Sequence, residues 1–252
     1  VPNVLKHTAL FLGYELRNSA RNPVWPLFGI LQPLLYMLMF APLLARLTPG
    51  VPEAETLKQF TPGMMIMIAL FGSLFVGFGM IMEIRTGVLE RLAVSPVSRP
   101  AIVLGRTVRD MIILVVQALL IVVLGLVMGM RPSLPGLALF IGLMAVTGLF
   151  ASGLSYGLAL ALRDENGMSQ IMQLFALPLI LLTGILLPIS LAPQWMQVIA
   201  KFNPLYHAVE AGRALFDGRL SDGSVPLSFG LMAVLALVTV WWSVTSMRRL
   251  AG

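Results

Sequence analysis

The chain of 252 residues contains no cysteine and only two histidines, His7 and His207. The first absence excludes disulfides and thiolate metal sites. The second leaves no HExxH-like ligand cluster, so no metal site is expected. Charge is also scarce. Seventeen Lys or Arg and eleven Asp or Glu make up 11% of the chain, where soluble domains carry about 25%. The apolar fraction is 58% and mean hydropathy is +0.91. Too few charged groups exist to cover a soluble surface, which argues against a soluble enzyme or a nucleic-acid binder. Only three lysines occur, before His7, Gln59 and Phe202. None stands in GxxxxGK[ST], so the chain has no P-loop of its own. Lys6, Glu15, Arg17 and Arg21 interrupt the first 21 residues, which do not read as a cleavable signal peptide.

What is present is a series of long uncharged runs. Residues 22–45, 59–82, 111–130, 132–162, 166–200 and 223–247 lack Asp, Glu, Lys and Arg, and about 20 apolar helical residues suffice to span a bilayer. Six spans are expected, at about 24–45, 61–82, 111–130, 137–162, 168–187 and 226–246, in an all-α membrane protein. Eleven of the seventeen cations fall on one side if the N-terminus is cytoplasmic, and six on the other. The positive-inside bias therefore predicts that both termini are cytoplasmic, and it explains the net charge of +6 without nucleic acid. In residues 3–21, Leu5, Ala9, Leu12, Leu16 and Ala20 recur at helical spacing, which predicts an amphipathic helix lying in the membrane interface.

No span carries a charged residue near its middle; Glu83 and Asp110 stand only at span ends. Proton-coupled transporters and pumps place such groups within the membrane, so that mechanism is disfavoured. An intramembrane enzyme also lacks its acid, base or nucleophile there, and the one close His–carboxylate pair is His207 with Glu210. Small residues are dense, notably the Gly153/Gly157 GxxxG pair. They predict close helix packing within the chain, and Ser73, Ser152 and Ser155 read as packing hydroxyls. Phe71, Phe75 and Phe78 share one helical face. With Tyr36, Phe40 and Phe175 they form the candidate substrate path for an amphipathic molecule.

The loop between spans two and three, 83–110, holds five cations and a short amphipathic piece stopped by Pro96 and Pro100. Its run Glu90-Arg91-Leu92-Ala93-Val94-Ser95-Pro96-Val97-Ser98-Arg99, with Gly105-Arg106 following, resembles the cytoplasmic segment of ABC-2 type transporter permeases. Asn203-Pro204-Leu205-Tyr206-His207, continuing to Arg213, is similar to the segment between spans five and six of that family. Among its members the drug-resistance type, like daunorubicin exporters, is the nearest in pattern.

The resemblance implies the transmembrane subunit of an ABC exporter that moves amphipathic or lipid-like molecules. The competing cargo is a polysaccharide, teichoic acid or lipo-oligosaccharide; a membrane-embedded enzyme or scaffold is the reading from another class. It further implies a separate ATPase subunit that carries ATP and Mg, two permeases with two ATPases, a lipid environment, and the inner membrane of a prokaryote. Glu83, Arg85, Glu90, Arg91, Leu92, Ser95, Pro96, Arg99, Gly105 and Arg106 would couple to that ATPase. Residues 188–222 would form short re-entrant helices on the outer side, carrying Asn203, Pro204, Tyr206 and Arg213.

Overall fold

The computed structural model describes residues 2–21, 30–31, 34–39, 42–43, 46, 52–88, 99–185, 189 and 192–249. These residues are helical throughout, apart from turns. The helices are α1 (Pro2–Arg21), α2 (Glu53–Leu74), α3 (Val76–Arg85), α4 (Arg99–Val127), α5 (Leu134–Leu162), α6 (Glu165–Thr183), α7 (Gln194–Ala200), α8 (Pro204–Phe216) and α9 (Ser224–Arg249). Five helical stretches are long and apolar enough to cross a membrane: 54–85, 100–127, 134–162, 165–183 and 224–247. They match the second to sixth expected spans. The expected first span falls largely outside the described residues, although 30–31, 34–39 and 42–43 are helical.

Helix ends follow local chemistry. The Asp164 carboxylate accepts from Gly167 N at 2.8 Å and starts α6. Asn203 Oδ1 accepts from Leu205 N at 3.0 Å and starts α8. Both are ordinary N-caps, and Pro204 sits at the first helical position, where its missing N–H costs nothing. Gly184, at φ 70°, ends α6 in the left-handed conformation that favours glycine.

Two boundaries differ from the sequence expectation. The loop expected over 83–110 is shorter, because α3 runs to Arg85 and α4 already begins at Arg99. Charge ended the apolar run there, but charge does not end a helix when its partners lie on neighbouring helices. The packed face of α1 is also rotated. It buries Phe11 and Glu15, while Ala9 and Ala20 are exposed. Phe11 lies so close to Gly105 of α4 that a Cβ there would come within 3.0 Å of its ring.

The centre of the bundle is α5, which packs on α2, α3, α4, α8 and α9. Gly153 faces Thr239 and Val240 of α9, Gly157 faces the Trp242 ring, and Gly148 faces Leu114 of α4. The small residues thus serve packing inside the chain, as their spacing suggests, because backbones can approach only where no side chain intervenes. A Cβ at Gly136 would stand 1.8 Å from Leu215 O, so α5 starts directly against the end of α8. Together α7 and α8 occupy the region expected to hold short outer helices, and α8 closes one end of the bundle among α2, α5, α6 and α9.

Candidate functional site

The opposite end, where α1 docks, gathers the charged groups that the apolar spans lack. On α4, Arg106, Arg109 and Asp110 stand at i, i+3 and i+4 and so share one face. Arg106 is 4% exposed. Its Nε donates to Glu15 Oε1 of α1 at 3.2 Å and its Nη2 to Glu83 Oε2 of α3 at 2.6 Å. Nη1 meets Met80 Sδ at 3.3 Å, and the guanidinium lies 5.7 Å from the centre of the Phe11 ring, a cation–π distance.

Arg109 Nη1 donates to the other Glu15 oxygen. Its Nε and Nη2 grip Asp110 Oδ1 at 2.9 and 2.7 Å. Tyr156 of α5 donates to Asp110 Oδ2 at 2.5 Å and accepts from Arg109 Nη2 at 3.1 Å. One network therefore joins α1, α3, α4 and α5. Buried charge is tolerated only when paired and hydrogen-bonded, because desolvation costs several kcal/mol per ion. Here each guanidinium faces a carboxylate from another helix, and Arg109 also holds the adjacent Asp110.

Of the residues expected to couple to a partner, Glu83, Gly105 and Arg106 sit in this network or against it. Arg85 lies beside it at the end of α3. It reaches Asp164 at 3.2 Å and Glu165 at 3.3 Å, with side chains about half exposed. Glu90, Arg91, Leu92, Ser95 and Pro96 lie outside the described residues, and Arg99 is described by its backbone alone as the first residue of α4. The sequence reading missed Glu15, Arg109, Asp110 and Tyr156. The available signal was the Arg106/Arg109/Asp110 face at the mouth of an apolar helix, which requires opposite charges nearby.

The aromatic candidates are less united. Phe71, Phe75 and Phe78 do stack, with ring centres 6.2 and 5.8 Å apart. Phe75 and, on α6, Phe175 are exposed, and Tyr36 is half-buried; Phe40 lies outside the described residues. An apolar groove of about 520 Å³ lies between Ile30, Leu31 and Leu34 and the Leu120, Val123 and Val127 side of α4. None of the described aromatic candidates lines it.

At the α8 end, Arg213 Nε donates to Gln59 O at 3.2 Å, Nη2 to Gly184 O at 2.7 Å and Nη1 to Glu210 at 2.7 Å. Asn203 Nδ2 donates to Leu179 O at 3.2 Å. The Tyr206 ring packs edge-on to His207, and burial, helped by Glu210, pushes its phenol above the usual range. His207 Nε2 lies 2.8 Å from Lys201 O. With Glu210 paired to Arg213, the two do not form a catalytic dyad. Among the described residues no group of His, Asp and Glu could hold a metal ion.

This combination defines a multi-pass helical membrane protein whose buried charges serve helix contacts. The family model of the ABC-2 type transporter matches residues 7–216. The chain belongs to the ABC-2 type transporter family, as a permease subunit of an ABC transporter, and membership implies an ABC ATPase partner. It is 29% identical over 225 residues to the daunorubicin resistance ABC transporter permease protein DrrB1 of Streptomyces coeruleorubidus, covering 86% of this chain and 79% of that one. It is 28% identical over 201 residues to the putative transport permease ycf38 of Cyanophora paradoxa, covering 78% and 69%. With the probable doxorubicin resistance permease DrrC of Mycobacterium tuberculosis it shares 26% over 209 residues, covering 81% and 74%.

Proposed function

We propose that this chain is the six-span permease of an ATP-driven exporter for amphipathic, drug-like molecules. Both termini and the α1 end would face the cytoplasm of a prokaryotic cell. Two permeases would work with two ATPase subunits, which hold the ATP and Mg. The observation that carries this reading is the placement of Glu83 and Arg106. They flank the 86–98 segment on either side, and they are joined to each other and to Glu15 of α1. A push delivered to that segment would reach α1, α3 and α4 together. The drug-resistance relatives support the cargo class. The apolar interior and the stacked phenylalanines suit a planar amphiphile better than a sugar chain.

The test is reconstitution of the permease in lipid vesicles with its ATPase subunit. A fluorescent amphiphilic cation should move only with hydrolysable ATP. Failure to bind any ATPase subunit, or movement independent of ATP, would overturn the reading.

A further inference from the structure

The second span is one apolar stretch but two helices, meeting at Phe75. In a regular helix, Gly77 N would bond to Ser73 O and Phe78 N to Leu74 O. Here Gly77 N donates at 2.9 Å to Ser155 Oγ of α5, and Phe78 N turns to Phe75 O at 3.2 Å. The Ser155 hydroxyl in turn donates to the released Leu74 O. One side chain from a neighbouring helix has therefore entered the ladder and satisfies the freed Gly77 N–H and Leu74 carbonyl. A side chain inserted in this way is a recognised origin of helix bends, and lipid offers no partner for the freed groups. Gly77 is needed for the approach, since a Cβ there would lie 2.6 Å from Ser155 O.

The two halves on either side have different attachments. The α2 half is fixed to the α8 end through Arg213 to Gln59 O and through Lys58 to Asp217 at 2.9 Å. The α3 half carries Glu83 and Arg85, and ends at the 86–98 segment. Its link to α4 is the Glu83–Arg106 pair, buried on the Arg106 side and partly exposed at Glu83, whereas its link to the α5–α6 turn is the exposed set of Arg85 with Asp164 and Glu165.

We infer that Phe75–Gly77 is a hinge in the second span and that Ser155 is its positioning residue, setting the angle at which α3 meets α2 during transport. In this inference α3 tilts against α5, the helix it packs on most, as the exposed Arg85 pairs open, while α2 stays with α8. It rests on the proposed transport function only for its last clause. The bond exchange itself belongs to the permease alone.

The chain has no cysteine, so spin labels can be placed cleanly at Thr86→Cys, beyond α3, and Ser246→Cys, on α9 at the same end. A tilt of about 20° of a helix about 15 Å long moves its end by about 5 Å. In lipid nanodiscs, Ser155→Ala should broaden or shift the 86–246 distance by about that amount, and Ser155→Thr should restore it. Gly77→Ala should give the same shift from the opposite side. A reference pair at Leu134→Cys and Leu237→Cys should stay unchanged in all three variants.

An unchanged 86–246 distance in both Ser155→Ala and Gly77→Ala would overturn the hinge. Equal broadening of both pairs would also overturn it, since Ser155 would then serve general packing. With the ATPase bound, nucleotide trapping should move the 86–246 distance in the wild type. A complex that transports without moving it would refute the role in transport. A permease that binds no ATPase would instead refute the proposed function, and the Ser155 result would stand.

Discussion

The two ends of the bundle are both built on arginine, but the arginines bind different things. At the α8 end Arg213 reaches other helices through the backbone carbonyls of Gln59 in α2 and Gly184 at the end of α6, its one carboxylate partner being Glu210 on its own helix. At the α1 end Arg106 and Arg109 bind side-chain carboxylates, and the Glu15 carboxylate is shared between them. Backbone carbonyls move only if a helix moves, so the α8 end is a fixed cap. Carboxylates on flexible stems can follow a guanidinium through a small displacement. On the proposed reading the α1 end is the part that moves with the partner ATPase.

Four substitutions test that contrast. Arg106→Ala leaves Glu83 without its cation and Glu15 with Arg109 alone, and breaking such a set costs about 3–5 kcal/mol. Thermal unfolding in detergent should show the largest loss here. Gly136→Ala drives a methyl into Leu215 O, a backbone atom that cannot rotate away. Overpacking of this kind costs about 3 kcal/mol, and the loss should appear in the same assay with α8 released to proteolysis. Arg213→Leu removes two carbonyl caps and should cost about 2 kcal/mol, leaving the α1-end distances unchanged by spin labelling. Arg85→Ala, in half-exposed pairs, should cost less than about 1 kcal/mol, and raised salt should erase the difference. If Arg213→Leu disturbed the α1 end as much as Arg106→Ala does, the two ends would not be independent.

Most of the helical layout was legible in the sequence, because uncharged runs of 20 or more residues report spans directly. The start of α4 was not, since Arg106, Arg109 and Asp110 look like a loop when the run of apolar residues is the only guide. Their partners Glu15 and Tyr156 stand 91, 94 and 46 residues away in the chain. No local period links them. Glu15 reads as part of a polar helix face until α4 is laid against it. The break at Phe75 was equally silent. Its cause is a serine on another helix, and serine in a span ordinarily back-bonds to its own turn, as Ser152 does to Gly148 O. The Asn203-Pro204 start of α8, by contrast, needs nothing beyond its own residues, an N-cap followed by proline.

If the Glu83–Arg106 link carries motion between the 86–98 segment and the rest of the permease, weakening it should uncouple export from hydrolysis. Glu83→Gln tests it with least damage, since the amide keeps the shape and the partly exposed site tolerates loss of charge. ATP hydrolysis and amphiphile export should be measured together in vesicles containing the permease and its ATPase. Hydrolysis should stay close to wild type, with export per ATP lowered about tenfold. An unchanged export-to-hydrolysis ratio would contradict it.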